Sequence, residues 1–402
     1  MVIYLIMLKG EDILCISTAD WDNISGWTNK QHVMSRLSKT NRILYIESLG
    51  LRQPTIKKKD ILRILKRLKD WFKGIRKINE NLFVYSPIIL PLHKIKIVRR
   101  INHLILWFTL KLLLKRLGFR CPILWTYSPA SFSLIGRLNE KLTVYHCVDE
   151  LSATPRIPIS ILKMEEELLK KADLVFATSK SLYERKKVFN QNTYYMPNVA
   201  DVAHFMTDLP IPEDIAAVKH PIIGFIGTLV AYKLDLELIK YIASTHPEWS
   251  VVLIGEVAEG EDKDKIEELK TISNILMLGG RKYEALPGYV KAFDVCILPS
   301  KINEYTQNMF PMKFFEYLAT GKPIVLTELL AVSEYRDLCY IARNKEEFVQ
   351  YIEQALLEKD LQLSKRRIEV AKENTWEIRL DQMSKLIEEK LVVSGISRQV
   401  KN

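Results

Sequence analysis

The sequence predicts an α/β protein made of two doubly wound halves, and three observations lead to this prediction. Short apolar runs that are typical of buried parallel strands alternate with helical patterns along much of the chain of 402 residues. Twelve such runs are present, which is too many for one small sheet. A stretch punctuated by prolines, residues 197–221, shows little helical or strand pattern and separates two parts of similar length.

The predicted strands are short, and Val, Ile and Leu dominate them. In chain order they are Ile13–Ser17, Ile43–Glu47, Leu82–Tyr85, Ile123–Tyr127, Leu142–His146, Leu174–Ala177, Thr193–Met196, Ile222–Ile226, Ser250–Ile254, Ile275–Leu278, Val295–Pro299 and Ile324–Leu326. Ligands of open parallel sheets bind beyond the carboxyl ends of the strands. We therefore expect two Rossmann-like domains that face an interdomain cleft, with the functional residues in the loops that follow the strands.

The composition is that of an ordinary globular protein, with 48% hydrophobic and 27% charged residues. The five cysteines form no Cys-x-x-Cys pair, which argues against a disulfide framework and a cysteine zinc site and favours a reducing cytoplasm.

The apolar residues 1–8 lack the basic start of a secretory signal. The best candidate for a membrane span, residues 104–114, is shorter than the roughly 20 apolar residues that a span needs and contains Lys111.

The net charge of +11 is concentrated in one region of the chain. Residues 51–120 hold 19 Lys and Arg against 3 Asp and Glu, a net charge of +16, so the rest of the chain carries −5. Within this region, apolar residues fall at helical spacing over Asp60–Ile78 and basic residues occupy the other positions, which predicts a basic amphipathic helix. Residues 94–120 again mix basic residues with Trp, Phe, Leu and Ile.

This basic region predicts contact with an anionic membrane surface, because its cations and its aromatic apolar residues would both favour the headgroup layer. A helix that packs on the core and exposes a charged face is the alternative. Nucleic acid is not expected, since no motif for it is recognisable. The residues predicted to meet the membrane are Arg63, Lys66, Arg67, Lys69, Lys73, Trp71, Phe72, Trp107 and Phe108.

Two kinds of motif stand out in the second half. The strand Ile222–Ile226 leads into Gly227, and Val252–Glu256 repeats this strand and glycine design; each alone is a weak signal, since a glycine after a strand is most often a turn. The helix predicted after Asn308 has clear boundaries, because Pro311 suits its first turn and Gly321 its end. Glu316 lies within that helix among apolar residues, where its carboxylate needs a partner such as ribose hydroxyls, unless it faces solvent.

Taken in order, these segments resemble the donor-binding half of the bacterial group 1 glycosyltransferases, which have the GT-B fold. The first half agrees with this resemblance, and so does the start of a terminal helix. Residues 124–129 and 144–150 resemble more narrowly the transferases of exopolysaccharide and teichuronic acid synthesis. The segments that carry the resemblance are 224–229, 252–255, 274–279, 286–287, 293–295, 299–300, 313–323, 172–179, 196–201 and 374–376.

The resemblance implies a nucleoside diphosphate sugar as donor, with UDP as the expected nucleotide. The family's pattern puts Glu316 on the ribose hydroxyls, and the diphosphate and sugar near Gly227, Thr228, Lys233, Asn308, Pro311, Met312 and Lys313. At two positions the chain departs from the family's retaining members. Asn308 stands where those members have a Glu, and Thr228 where they have an Arg, so the stereochemical course stays open and Lys233, Lys313 or backbone donors would have to meet the diphosphate charge.

An inverting transfer would need a base in the first domain, for which Asp149 is the first candidate and His146 the second. Asp149 as a turn residue and His146 as a packed core residue are the alternatives. Residues after the first strand are expected on the acceptor side of the cleft, although they could also simply close the sheet edge: Asp22, Trp27, Asn29 and His32. No Asp-x-Asp pattern stands in a loop after a strand, so we expect neither a metal nor another cofactor.

The resulting hypothesis is a peripheral membrane glycosyltransferase on the inner face of the cell membrane. It would move a sugar to a hydroxyl of a lipid-linked saccharide in envelope or exopolysaccharide synthesis. Residues 1–205 would form the acceptor and membrane-facing domain, residues 216–375 the donor domain, and residues 376–402 a helix that crosses back to the first. The alternatives are a nucleotide-sugar epimerase of the same fold and a catalytically silent scaffold. The sugar, the acceptor and the oligomeric state stay open.

Overall fold

The computed structural model describes residues 7–22, 27–50, 71, 73–90, 95–257, 263–393 and 395. Its contacts divide the chain into two compact units. Residues 1–23, 28–197 and 377–402 belong to the first, and residues 24–27 and 198–376 belong to the second. Each unit is a sheet with helices packed on it, as the alternation of apolar runs and helical patterns predicts.

The described part of the first unit contains one eight-stranded sheet in the order β3-β4-β2-β1-β5-β6-β7-β8, in which β3 alone is antiparallel to its neighbour. A short 3₁₀ helix spans Pro129–Leu134. The remaining elements are β1 (Asp12–Ile16), α1 (Asn29–Leu37), β2 (Arg42–Ile46), β3 (Arg76–Lys77), β4 (Leu82–Tyr85), α2 (Lys96–Arg116), β5 (Ile123–Thr126), β6 (Leu142–Cys147), α3 (Ile159–Lys171), β7 (Leu174–Ala177), α4 (Lys180–Lys187) and β8 (Thr193–Tyr195).

In the second unit, the described residues form a parallel six-stranded sheet in the order β11-β10-β9-β12-β13-β14. Its elements are α5 (Val202–Phe205), α6 (Glu213–Ala216), β9 (Ile222–Ile226), α7 (Leu236–Thr245), β10 (Ser250–Ile254), α8 (Lys263–Glu267), β11 (Ile275–Gly279), α9 (Leu286–Ala292), β12 (Val295–Leu298), α10 (Glu304–Gln307), α11 (Met312–Leu318), β13 (Ile324–Thr327), β14 (Tyr340–Ala342), α12 (Lys345–Leu357) and α13 (Leu361–Glu373). The last helix, α14 (Trp376–Val393), leads back to the first unit.

All twelve predicted strands are found, each to within one residue at either end. The apolar runs of β9, β10 and β12 are buried along their whole length, as expected for strands covered on both faces. Two further strands, β3 and β14, were not predicted. They have two and three residues, which is too short for a periodic pattern to be recognised.

The strand order fixes where each sheet can bind a ligand. In the first unit the chain moves from β1 through β2 to one side and from β5 onward to the other, so the order reverses between β1 and β5. In the second unit the reversal lies between β9 and β12. Loops that follow these strands flank the crevice where doubly wound sheets take their ligands.

The prediction of a basic helix over Asp60–Ile78 is wrong at the C-terminal end of that helix. Gly74 has a backbone φ of +65°, which stops a helix, and residues 76–77 then form strand β3 against β4. Cross-strand pairing with a buried neighbour overrides the helical spacing of these last residues. The predicted membrane residues Arg63, Lys66, Arg67, Lys69 and Phe72 lie outside the described part of the chain.

The contacts divide the two units after residue 197, earlier than the expected end of the first domain at residue 205. Asn198 explains part of this difference, because its side-chain amide donates to the carbonyl of Phe310, 3.1 Å away, in the second unit. The ring of His204 stacks on Tyr283 with 4.4 Å between the ring centres. Helix α14 packs on the first unit, where Arg36 pairs with Glu377 at 2.8 Å.

Candidate functional site

The loops that follow β9 and β12 are tied together at the reversal point of the second sheet. The side-chain amide of Asn303 donates to the carbonyl of Tyr232 at 2.7 Å. The backbone N–H of Lys301 donates to the carbonyl of Lys233 at 2.8 Å, and that of Asp235 donates to Pro299 at 2.9 Å. These bonds hold the two loops as one piece, so the side chains that they carry keep fixed separations.

Helix α11 is fastened to the same edge by Tyr317. Its buried hydroxyl accepts a hydrogen bond of 2.8 Å from the backbone N–H of Ile226, the last residue of β9. The helix begins after Pro311, whose fixed φ suits this position, and ends before Gly321, which has a φ of +71°. The predicted boundaries of this helix are therefore confirmed, whereas the anchoring role of Tyr317 was not foreseen.

Glu316 and Lys313 form an ion pair on α11, with 2.6 Å between Nζ and Oε2. The Glu316 side chain is only 2% exposed, whereas that of Lys313 is 25% exposed. The alternative in which Glu316 faces solvent is therefore wrong. The sequence predicted a partner for this carboxylate among ligand hydroxyls, and the structure adds a partner within the protein. A buried carboxylate needs such a partner because desolvation without one is costly.

The other predicted donor-side residues differ in their surroundings. Thr228 is exposed directly after Gly227, and Met312 is half-buried in the first turn of α11. The ammonium of Lys233 lies over the ring of Tyr305, 4.7 Å from its centre. Asn308 is 4% exposed, and its amide donates to the carbonyl of Glu304 at 2.6 Å. Lys233 and Asn308 thus have contacts within the protein that the sequence did not reveal.

Two glycines of this edge are required by close packing. A methyl group on Gly224 would lie 2.1 Å from the ring of Phe293, and one on Gly255 would lie 1.9 Å from the carbonyl oxygen of Gly227. Gly255 also has a φ of +155°, which side chains rarely adopt. The repeated strand and glycine pattern therefore lets the chain pack tightly at the carboxyl ends of β9 and β10.

In the first unit, Asp149 lies in the loop after β6 and is half-buried. Its neighbour Glu150 fixes this loop. The Glu150 carboxylate is 4% exposed, accepts from the hydroxyl of Ser152 at 2.8 Å, and lies 3.6 Å from the ammonium of Lys186. The loop therefore holds Asp149 in a defined position at the carboxyl end of a buried strand.

His146, the second candidate base, points into the interior of the unit. It is fully buried, stacks on Tyr127 with 4.9 Å between ring centres, and neither ring nitrogen has a hydrogen-bond partner among the described residues. Burial, with a smaller contribution from Lys30, lowers the pKa of His146 to about 3. A general base must reach the proton that it removes, so this placement favours the alternative of a packed core histidine.

The four residues expected on the acceptor side differ in their surroundings. Asn29 is 3% exposed and accepts from the hydroxyl of Tyr127 at 3.1 Å, and His32 is 1% exposed with Nδ1 3.2 Å from the guanidinium of Arg36. Both therefore face the interior of the first unit, because polar groups that are buried take protein partners. Asp22 is exposed and paired with Arg76. Trp27 groups with the second unit, where its ring stacks on Tyr283.

Glu47 organises the loop after β1 in a way that the sequence did not indicate. It accepts from the backbone N–H of Trp21 at 2.9 Å, pairs with Arg76 at 3.0 Å, and accepts from the hydroxyl of Ser86. These partners are separated by 65 positions in the chain, so no local pattern could reveal the cluster. No group of three His, Cys, Asp or Glu side chains that could hold a metal ion occurs among the residues that the structure describes.

Comparison with known proteins identifies the second unit. Residues 220–358, which carry β9 to β14 and both tied loops, match the family model described as "Glycosyl transferases group 1". The second unit is therefore similar to the group 1 glycosyltransferases. The resemblance inferred from the motifs around Gly227 and Glu316 is confirmed for this domain.

A curated relative extends the comparison beyond this domain. The chain is 28% identical over 237 residues to TuaH of Bacillus subtilis, a protein named as a teichuronic acid biosynthesis glycosyltransferase. The alignment covers 54% of this chain and 58% of the relative, so the chain spans somewhat more than half the length of the curated protein that it matches.

Solved structures show that the chain has the GT-B fold. Sucrose-phosphate synthase of Thermosynechococcus elongatus superposes with a TM-score of 0.72 at 16% identity, covering 96% of this chain and 100% of that one. HepE of Anabaena, solved in complex with UDP, gives a TM-score of 0.65 at 14% identity with the same coverage. At such identities the likeness establishes the fold alone, which is the fold that the sequence predicts.

Helix α2 of the first unit has two apolar faces. Its buried face packs on the core through Leu106, Leu110 and Leu113. A second apolar face is exposed over the length of the helix, and it contains Ile97, Ile101, Leu104, Ile105, Phe108 and Leu112. Their spacing of three and four residues places them in one stripe. In the described part of the chain, no helix is both long enough and apolar enough to cross a membrane.

The described residues that were predicted to meet a membrane lie on and near this helix. Phe108 is 63% exposed within the stripe, whereas Trp107 is half-buried, and its indole N–H donates to the carbonyl of Arg137 at 3.2 Å. Trp71 is 38% exposed and Lys73 is exposed. Phe108 therefore has the exposure that membrane insertion needs, and Trp107 is held by the protein.

Proposed function

We propose that this protein is a group 1 glycosyltransferase that moves a sugar from a UDP-sugar to a hydroxyl of a lipid-linked saccharide at an anionic membrane surface. The Lys313–Glu316 pair carries the donor part of the proposal, because it puts a hydrogen-bond acceptor and a cation within 2.6 Å of each other on α11. This helix is fastened to the edge where parallel sheets take their ligands. The UDP and UDP-glucose complexes of HepE, a protein of the same fold, support the choice of nucleotide.

The donor would be held by complementary charge and hydrogen bonding. The Glu316 carboxylate accepts hydrogen bonds from two ribose hydroxyls, while Lys313, which is 25% exposed, approaches the diphosphate. Exposed Thr228 and the backbone at Gly227 lie at the end of β9, where they meet the phosphate oxygens. The diphosphate charge is then met by lysine and by N–H groups, without the arginine of the retaining family members.

The transfer itself would use Asp149 as general base. Its carboxylate takes the proton of the acceptor hydroxyl while the hydroxyl oxygen bonds to the anomeric carbon of the sugar. The bond from that carbon to the diphosphate oxygen breaks, and UDP leaves with its electron pair. Lys313 stabilises the charge that develops on the leaving phosphate. The contacts of Glu150 with Lys186 and Ser152 fix the loop that carries Asp149. This supports the role of Asp149, because a general base must lie within hydrogen-bond reach of the proton that it removes.

The acceptor part of the proposal rests on α2. Six Lys and Arg lie on this helix, which has no Asp or Glu, and an apolar stripe is exposed between the basic residues at its two ends. A stripe that includes Phe108 would insert at the level of the headgroups, and the flanking cations would each contribute about 1 kcal/mol on anionic lipid. Such attachment would keep the enzyme beside a lipid-linked acceptor.

The donor part is tested by thermal unfolding of the full chain with UDP, GDP, ADP, dTDP and CMP. A ligand that binds the native state raises the melting temperature, so we expect stabilisation by UDP above the others. Stabilisation by a different diphosphate would replace UDP as the donor nucleotide. No stabilisation by any of the five would contradict the donor proposal and favour a silent homologue.

The membrane part is tested by flotation with vesicles of phosphatidylglycerol and phosphatidylcholine. The paired change Phe108→Ser and Leu112→Ser should release the protein from vesicles, because it removes two strongly exposed apolar side chains of the stripe. The matched control is Val188→Ser with Phe189→Ser, which alters exposed apolar residues beyond α4. Equal flotation of the wild type and the α2 variant would contradict membrane contact through α2.

A further inference from the structure

A cavity of about 430 Å³ lies beside helix α2 in the first unit. Its walls come from α2, from the loops after β2 and β4, from the 3₁₀ helix at Pro129–Leu134, and from α3. The volume falls in the range of about 300–1,000 Å³ that is usual for small-molecule pockets. Among the described residues that line it, none is assigned above to donor binding or to proton transfer.

The lining of this cavity is mostly apolar. Leu49, Leu104, Leu106, Phe132 and Met164 contribute side chains from four different segments. Water gains little in such a space, because a buried water needs two to four polar partners. The cavity therefore suits a hydrocarbon better than a sugar or a nucleotide.

Basic residues stand at one side of the cavity. Lys96, Arg99 and Arg100 line it from the first turns of α2, and their spacing of three and four residues puts them on one face of the helix. Lys96 and Arg100 are exposed, and Arg99 is half-buried. His103 adds no charge at neutral pH, because burial and the nearby Arg137 lower its pKa. An anionic group is thus favoured next to the apolar space.

The cavity is continuous with the exposed stripe of α2 through Leu104. This residue is 57% exposed and also lines the cavity. A chain that leaves the bilayer beside the stripe could therefore enter the cavity without crossing water. Free phosphate would make no use of the apolar walls, and a neutral lipid would make no use of the three cations.

We infer that this cavity binds a lipid phosphate, with the hydrocarbon next to the phosphate inside it and the phosphate on Lys96, Arg99 and Arg100. The inference rests on the proposed function, since such a lipid would carry the saccharide acceptor. It assigns the lipid end of the acceptor to a defined place in the first unit. It also explains why the basic residues and the apolar cavity occur on the same helix.

The direct test is calorimetry of the full chain with three probes: dodecyl phosphate below its critical micelle concentration, dodecanol, and inorganic phosphate. We expect dodecyl phosphate to bind at least tenfold more tightly than dodecanol, and inorganic phosphate to give no saturable heat. Equal binding of dodecyl phosphate and dodecanol would overturn the role of the cations. Binding of inorganic phosphate as tight as that of dodecyl phosphate would overturn the role of the apolar walls.

Variants locate the binding. Ala130→Phe places a ring in the cavity and should weaken dodecyl phosphate binding at least tenfold, and Arg100→Gln should weaken it several-fold. The matched control is Arg116→Gln, which removes an exposed cation of α2 that does not line the cavity and should leave the affinity unchanged. Unaltered binding by Ala130→Phe, or an equal loss in both arginine variants, would overturn the site.

A second measurement guards against a misfolded variant. We expect a diazirine-bearing dodecyl phosphate to label the wild-type protein on peptides that contain Leu104, Ala130 or Met164. Unlabelled dodecyl phosphate should compete with this labelling. Labelling confined to other peptides would contradict the site. UDP-induced stabilisation of each variant reports separately on the donor domain. If UDP does not stabilise the wild type, the proposed function fails. If UDP stabilises the wild type but the lipid binds elsewhere, only the present inference fails.

Discussion

The ammonium of Lys313 lies 2.6 Å from a carboxylate oxygen of Glu316, one turn further along α11. Both residues belong to a helix of only seven residues whose position is set by the hydrogen bond between Tyr317 and the end of β9. A buried carboxylate and a partly exposed cation are thus presented together at the edge of a parallel sheet. Recognition of a ribose and a diphosphate requires the same two groups, an acceptor for hydroxyls and a cation for phosphate.

Replacing Glu316 should weaken nucleotide binding. In Glu316→Ala we expect the Kd for UDP to rise at least tenfold, about 1.4 kcal/mol, because the acceptor for the ribose hydroxyls is lost and Lys313 is no longer oriented. Titration calorimetry with UDP measures the effect. Glu346→Ala, an exposed acid at the start of α12, serves as the control of equal charge. An unchanged Kd in Glu316→Ala would refute the ribose role.

Removing the hydroxyl of Tyr317 should reduce both stability and nucleotide affinity. Tyr317→Phe leaves the buried N–H of Ile226 without its partner, which costs about 1–3 kcal/mol. Urea unfolding measures this loss, and UDP binding should weaken because α11 is no longer fastened to β9. Tyr194→Phe, at a half-buried tyrosine of the edge strand β8, is the control. Equal midpoints of the two variants would show that the hydroxyl does not anchor the helix.

Adding a methyl group at Gly224 should destabilise the second unit through overpacking. The new carbon would lie 2.1 Å from the ring of Phe293, and such insertions cost about 1–3 kcal/mol. The double variant Gly224→Ala with Phe293→Leu should recover part of the loss, because a smaller side chain leaves room for the methyl group. Additive losses in a double-mutant cycle measured by urea unfolding would rule out this contact as the cause.

His146 should make the protein sensitive to acid. Its folded-state pKa of about 3 lies below the ordinary value of 6.5, so the unfolded chain binds a proton at a higher pH than the folded chain does. Its contribution to stability is complete above pH 6.5 and falls by about 1.4 kcal/mol per pH unit as the pH drops toward 3. His146→Phe, which keeps a ring and removes the titration, should therefore lose less stability than the wild type between pH 6.5 and 4.5. Parallel curves would contradict a buried neutral histidine.

Replacing Asp149 should separate binding from transfer. Asp149→Asn keeps the size of the side chain and removes its ability to accept a proton, so turnover should fall by about 100-fold or more while UDP binding is retained. Turnover is followed as release of UDP from UDP-glucose with a membrane extract as the source of acceptor. Glu166→Gln, at an exposed acid of α3, is the control and should keep full turnover. Full turnover in Asp149→Asn would exclude it as the base.

The sequence was sufficient for the elements whose cause is local. Apolar runs such as Ile222–Ile226 are buried on both faces, so the pattern and the strand coincide. Pro311 and Gly321 act on the backbone where they stand, which made the limits of α11 predictable. The glycosyltransferase motifs are also local, since each lies within a strand and the loop after it or within one helix.

The surroundings of polar side chains could not be read from the sequence in the same way. Asn29 and His32 follow β1 as expected, yet both are buried against side chains of α1 and of the loop after β5. Arg76 falls within the predicted basic helix, but pairing with β4 places it in a strand, where it binds Glu47. Such partners are distant in the chain, and spacing alone carries no information about them.

The sequence by itself determined the fold class, the position of nearly every strand, the glycosyltransferase motifs and the basic character of residues 51–120. The tertiary structure decided which polar groups are paired, that His146 is a core residue, and that α2 is apolar on two faces. The physical reason is the distance along the chain over which each kind of interaction acts. Hydrophobic periodicity and backbone restriction act over a few neighbouring residues, whereas burial and hydrogen-bond pairing depend on segments that only the folded chain brings together.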